Sequence, residues 1–277
     1  MAVKASPKSK SVWFCTSCGN EFPKWMGQCP ACKEWNTLQE REMISGVSGG
    51  RGAQHVPGAS RKPVRLKEVE ATGEDRISLG STEVDRLLGG GIVKGSLVLI
   101  GGEPGIGKST LSLQLPLQSP HLKTLYVTGE ESVKQVKMRA DRLGGDSSNC
   151  LIFSETLMDS ILAEAEEAAP DLMIVDSVQT MYCSGVESTA GSVSQIKETA
   201  ARLLRFAKES GIPVILIGHI TKEGAIAGPK ILEHIVDVVL QFEGENRGAY
   251  RVLRSIKNRF GSTSELAVFE MTGTGLR

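Results

Sequence analysis

From Leu66 onward, short uninterrupted apolar runs alternate with amphipathic stretches. Five runs read as strands: residues 97–101, 124–127, 151–153, 172–175 and 214–217. Continuous Val/Ile/Leu runs suit parallel strands covered by helices on both faces. Between them, apolar positions recur at helical spacing. Val133, Val136 and Ala140 mark a helix over 132–143, and Ile196, Ala200, Leu203, Leu204 and Ala207 mark one over 193–209. A helix over 158–169 stops before Pro170. A helix over 109–117 is expected to end early at Pro116, because proline lacks the amide donor. Three β-rich segments, 236–242, 250–256 and 265–271, read as an antiparallel extension of the sheet. The alternation predicts a three-layer α/β domain with a mostly parallel central sheet and right-handed crossovers.

The first strand leads straight into candidate chemistry. Gly102, Glu103, Pro104, Gly105, Ile106, Gly107, Lys108 and Ser109 match G-x-x-x-x-G-K-[ST] in full, between a strand and a helix. Glycines let the backbone wrap around phosphates, and a helix N-terminus adds donors and a favourable dipole. Lys108 is expected to reach the β and γ phosphates of ATP. Ser109 is expected to ligate Mg2+, with Thr110 near the α phosphate. Asp176 ends the run 172–175, where an acid holds the Mg2+ shell through water. Ser177 follows and assists. Glu130, at the tip of the run 124–127, is the candidate for positioning the attacking water, with Glu131 its partner or a surface acid. His219, at the tip of 214–217, is a candidate γ-phosphate sensor; the alternative is a structural histidine.

Upstream, four cysteines change the picture. Cys15 and Cys18 form one C-x-x-C pair, Cys29 and Cys32 another, ten residues apart. That spacing predicts a closed tetrahedral Zn2+ site of structural type. Trp13, Phe22, Trp25 and Trp35 are expected to pack around it. The ribbon is read over 11–38, a flexible basic linker rich in Gly, Ser and Pro over 39–65, and the α/β domain over 66–277. Cys150 and Cys183 read as ordinary buried thiols.

Charge is uneven although the net is zero. Residues 1–65 hold ten Lys/Arg against four Glu, and the remainder holds 22 Lys/Arg against 28 Asp/Glu. A basic arm on an acidic body points toward an anion such as nucleic acid, or to a solvated tail. No apolar run reaches the ~18–20 residues of a membrane span. Without a signal-peptide core either, a cytoplasmic location is expected. A second basic tract, Arg247, Arg251, Arg254, Lys257 and Arg259, holds no acid. It reads as a DNA-phosphate contact, a finger reaching a neighbouring subunit's ATP, or a solvated edge.

The combination is specific. The four-Cys ribbon, GEPGIGKST, GEES, VDS and KNRFG, in this order, closely resemble the RadA (Sms) family of bacterial DNA repair proteins, over about residues 13–277. The resemblance implies a RecA-like ATPase core and a ring-forming, hexameric motor. It implies binding to single-stranded and branched DNA, branch migration, and work alongside a recombinase filament. It gives Lys257 and Arg259 of KNRFG roles in ATP turnover and DNA binding, and puts residues 179–192 and 221–230 in the places of DNA-binding loops. It further implies a C-terminal domain similar to Lon protease, without proteolytic activity, beyond Arg277. The function expected is a DNA-dependent ATPase of recombinational repair. The alternative is a nucleotide-switched DNA-binding module without motor activity.

Overall fold

The computed structural model describes residues 10–15, 21–43, 65–68, 73, 75–219, 232–244 and 248–277. Contacts divide the chain into two units, Met1–Gly73 and Glu74–Arg277.

In the first unit, β1 (Lys10–Cys15) lies between β2 (Glu21–Phe22) and β3 (Leu38–Met43), antiparallel to both. Strand β3 takes up the first residues of the stretch read as linker. Among the described residues, its buried core is Cys15, Cys29 and Leu38, with Trp13, Phe22, Met26 and Cys32 packed against it. Trp25 and Trp35, expected beside them, are instead 54% and 68% exposed. So small a module cannot cover four large aromatics.

The second unit opens with a hairpin of β4 (Arg76–Ile77) and β5 (Ile92–Val93) around helix α1 (Thr82–Leu87). The α/β core follows: β6 (Leu97–Gly102), α2 (Lys108–Gln118), β7 (Thr124–Thr128), α3 (Val133–Leu143), β8 (Cys150–Ser154), α4 (Met158–Ala168), β9 (Leu172–Asp176), α5 (Val193–Ser210) and β10 (Val214–His219). It ends in β11 (Val238–Glu243), β12 (Tyr250–Asn258), β13 (Leu266–Thr272) and β14 (Gly275–Leu276). The sheet order is β14-β13-β12-β11-β6-β10-β9-β7-β8.

The apolar runs alternate between two cores, as strand geometry requires. Val98 and Ile100 of β6 join the cluster under α2 and α3, while Leu97 and Leu99 join the one under α4 and α5. Burial on both faces is why these strands read as unbroken apolar runs. Strand β8 departs from that expectation. It is the edge strand, paired only with β7 among the described residues, and Leu151 is 39% exposed. Strand β11 departs as well: it runs parallel to β6, and the antiparallel extension begins at β12.

Pro116 does not end α2 early. The helix continues to Gln118 with Pro116 inside it and buried. A proline so near the C-terminus removes one intrahelical bond, and packing of its ring offsets that loss. Helix α3 starts on a reciprocal cap. Gln135 N donates to Ser132 Oγ, and Ser132 N donates to Gln135 Oε1.

Candidate nucleotide and metal sites

The turn after β6 is a phosphate loop in geometry as well as in sequence. Gly105 and Gly107 sit at φ +77° and +118°, conformations closed to ordinary L residues. Open space surrounds Gly105: a Cβ there would meet nothing within 4 Å. Gly107 caps α2 without a side-chain hydrogen bond, and the first turn carries no acid. The helix therefore presents uncapped amide donors and its dipole to whatever sits in the turn. These features fit the phosphates of a nucleotide.

Lys108 is buried, and its Nζ donates to the carbonyls of Gly102 at 2.8 Å and Glu103 at 2.9 Å. Burial pulls its pKa down to about 8, against the opposing pull of Asp176 and Glu130. Those two carboxylates come from neighbouring strand tips in parallel register, since Thr128 lies opposite Asp176. Asp176 accepts from the buried Tyr126 hydroxyl at 2.7 Å. Burial, then the Asp176 charge, pushes that phenol well above its ordinary range, so Tyr126 remains a donor.

Glu130 faces three groups. Ser177 Oγ donates to its Oε1 at 2.6 Å, and His219 Nε2 lies 3.3 Å from the same oxygen. Burial alone would raise this carboxyl. The Ser177 hydrogen bond, then His219 and Lys108, carry it below the usual carboxylate range. Glu131 turns away to pair with Arg139. Glu131 lies just before α3, and its ion-pair partner Arg139 is on that helix. Gln179 Nε2 reaches the His219 carbonyl at 3.4 Å. Lys108, Glu130, Asp176 and His219 thus share one edge of the sheet. Ser109 and Thr110 lie in the first turn of α2.

Lys257 and Arg259 do not meet the phosphate loop within the chain. Lys257 Nζ donates to the carbonyls of Glu233 and Val236, the latter at 2.7 Å. Arg259 Nη1 reaches Asp237 Oδ1 at 3.4 Å. Asp237, 1% exposed, also accepts from Lys208 Nζ at 2.9 Å and from the Leu97 amide at 3.1 Å. KNRFG is therefore tied to the segment just before β11. Arg254 pairs with Glu243 at the surface. Arg251 is the residue of this tract that does touch the phosphate loop, donating to the Ile106 carbonyl. Neither Arg251's contact nor Asp237 was legible from spacing, because their partners lie far away in sequence. Residues 221–230 and Arg247 lie outside the described residues.

In the small unit, the ligand atoms of Cys15, Cys29 and Cys32 all lie within 4.8 Å of one another, with Cys15 and Cys29 buried. Three converging sulfurs in that reach fit a thiolate-bound Zn2+. Cys18 lies outside the described residues. Cys183 is buried, as read from sequence. Cys150 is only partly covered, and burial still raises its thiol to about 11. Among the described residues, no helix is long and apolar enough to cross a membrane.

Comparison with known proteins agrees with this geometry. A family described as a rubredoxin metal binding domain matches residues 13–40. The chain is 51% identical to DNA repair protein RadA of Bacillus subtilis over 273 residues, covering 97% of this chain and 59% of that protein. It is 50% identical to DNA repair protein RadA of Pseudomonas aeruginosa, covering 98% of this chain and 60% of the relative. The chain thus spans about 60% of the length of these relatives. Among solved structures, a crystal structure of the RadB recombinase is similar with a TM-score of 0.55 and 25% identity, covering 72% of this chain and 97% of that one. An AAA-domain family matches residues 60–225, more than half of the chain. The chain therefore belongs to the AAA-domain family, with a P-loop, a RecA-like α/β core and an N-terminal zinc ribbon.

Proposed function

We propose that this chain is the ATPase part of a DNA-dependent motor of recombinational repair, acting on single-stranded and branched DNA and promoting branch migration. The observation that carries the reading is the shared oxygen of Glu130. Ser177 begins the segment that runs through residues 179–192, and His219 immediately precedes residues 220–231. One carboxylate is thus held by Ser177, just after β9, and by His219, the last residue of β10, at the same sheet edge. DNA that shifts either residue would move the carboxylate. Likeness to relatives named for DNA repair supports the same reading.

In this reading the turn 102–109 holds the phosphates, and Lys108 leaves the Gly102 and Glu103 carbonyls to meet the β and γ oxygens. Thr110 donates near the α phosphate. When bound, Mg2+ held by Ser109, and by Asp176 through water, neutralises phosphate charge. Glu130 stays ionised, accepts a proton from the attacking water and aims it. His219 reports the γ phosphate to the residues that follow it. Lys257 and Arg259, bonded to Glu233, Val236 and Asp237, serve DNA binding and a neighbouring subunit's ATP, in a hexameric ring alongside a recombinase filament. Cys15, Cys18, Cys29 and Cys32 would hold Zn2+ as a structural ion. The cytoplasm is the expected compartment.

The test is ATP turnover by the purified chain, with and without single-stranded DNA. Stimulation by the DNA, lost in Lys108→Ala, supports the proposal. Turnover indifferent to single-stranded and branched DNA would sink the DNA-dependent reading and leave an ATPase of another purpose.

A further inference from the structure

The phosphate loop has a back wall built by the antiparallel end of the sheet. Strand β12 alternates, so Arg251, Leu253 and Ser255 point inward and are buried. A guanidinium only 3% exposed needs fixed acceptors. Nε of Arg251 donates to the Ile106 carbonyl at 3.1 Å. Its Nη1 donates to the Gly248 carbonyl at 2.5 Å and to the Tyr250 carbonyl at 2.9 Å. One side chain therefore ties the crown of the phosphate loop to the turn that starts β12, across 145 residues of chain.

Two further contacts fix the same crown. A Cβ at Gly107 would fall 2.8 Å from Met271 Cε and 3.5 Å from Leu276 Cδ1. Leu276 is held in turn by Gln114 of α2, which donates to its carbonyl at 2.7 Å and accepts from its amide at 2.9 Å. The front of the loop at Gly105 is open, while the back at Ile106 and Gly107 rests on β12, β13 and β14.

We infer that Arg251 is a positioning residue for the phosphate cradle, acting through the Ile106–Gly107 peptide. In a trans peptide the C=O and N–H point in opposite directions. Holding the Ile106 oxygen from behind therefore aims the Gly107 N–H toward the concave side, where phosphate oxygens would lie. A turn this rich in glycine loses much backbone freedom when it orders. A wall that orders it beforehand removes that cost from nucleotide binding. Arginine suits the task because its rigid planar fork serves the loop and the β12 turn together from separate nitrogens, whereas the donors of a lysine ammonium all sit on one atom of a flexible stem. The inference rests on the reading of residues 102–109 as a nucleotide site.

The test compares Arg251→Gln and Arg251→Lys with the unmodified chain. Amide hydrogen exchange over residues 103–110, without nucleotide, reads the loop directly. Exchange there is expected to quicken about tenfold in Arg251→Gln and less in Arg251→Lys. ADP affinity is expected to weaken about tenfold and about threefold respectively. The KM for ATP rises while kcat at saturation stays within about twofold, because the reacting groups are untouched. A folded variant that melts at lower temperature yet keeps the original loop exchange and ADP affinity overturns the inference, and makes Arg251 a purely structural residue. Should Arg251→Gln not fold, Arg251→Lys decides alone by the same measurements. If the unmodified chain binds no ADP, the nucleotide-site reading and the inference fall together. If it binds ADP and the variants match it, only the inference falls.

Discussion

Replacing Ser177 by alanine isolates the contact on which coupling depends. The hydroxyl donates 2.6 Å to Glu130 Oε1 and has no solvent exposure of its own. A hydrogen bond to an ionised group is worth about 1.5–3 kcal/mol when protected. The Glu130 side chain is 45% exposed, so water replaces part of the lost bond. A net effect of about 1 kcal/mol is left, which corresponds to roughly a fivefold fall in kcat if the carboxylate must be held to aim water. The pH profile supplies a second readout. Ser177 and His219 hold the Glu130 carboxyl below the usual range. Removing the first donor raises its folded pKa, so the acid limb of the kcat profile moves to higher pH. Steady-state ATP hydrolysis from about pH 3.5 to 8.5, a range that extends below the usual carboxylate pKa, with ADP affinity as a control, measures both effects. ADP binding is expected to be unchanged, because Ser177 does not touch the phosphate loop. An acid limb that stays in place, together with kcat within error of the unmodified chain, would refute the argument that Ser177 positions Glu130.

Three further outcomes follow from the same geometry. With Lys108 lowered to about 8 by burial, the free site loses its cation above that pH, while bound phosphate favours the charged form. ADP affinity should therefore be flat below about pH 7 and weaken by up to about tenfold per pH unit above 8, and titration of Lys108→Arg should show no such limb. Replacing Asp237 by alanine strips Lys208, Arg259 and the Leu97 amide of one acceptor; a loss of about 2 kcal/mol, or about 4–8 °C in melting temperature, is expected by calorimetry. Metal analysis is expected to find zinc in the unmodified chain and none in Cys29→Ser, and a chelator should abolish hydrogen-exchange protection across β1 and β3 while the melting of the larger unit stays in place.

The sequence was most legible where function needs local residues in fixed order. The phosphate-loop pattern and the cysteine pairs each occupy a few neighbouring positions, and Glu130 and Asp176 each closely follow an apolar run, so local sequence was enough to propose them. Four of the five parallel strands read from sequence, β6, β7, β9 and β10, were legible because burial on both faces leaves an unbroken apolar run. The same rule found β8 but not its exposure, since this edge strand carries an apolar run that is only partly buried. Pro116 misled because its local cost is offset by packing that no neighbour in sequence announces. Arg251 looked like one more member of a basic tract. Its role depends on strand alternation turning it inward against a loop 145 residues away. Asp237 carries no motif at all, and only the fold brings two cations and a backbone amide to it.

In the proposed mechanism Glu130 aims water at the phosphate held by residues 102–109, under the control of Ser177 and His219. Glu130→Gln preserves shape and removes the base. Single-turnover ATP hydrolysis with and without single-stranded DNA, alongside ATP binding by the same protein, tests it most directly. Retained ATP binding, turnover reduced by about 100-fold or more, and no rescue by DNA are expected. ATP turnover by Glu130→Gln within about threefold of the unmodified chain, and still stimulated by DNA, would contradict that mechanism.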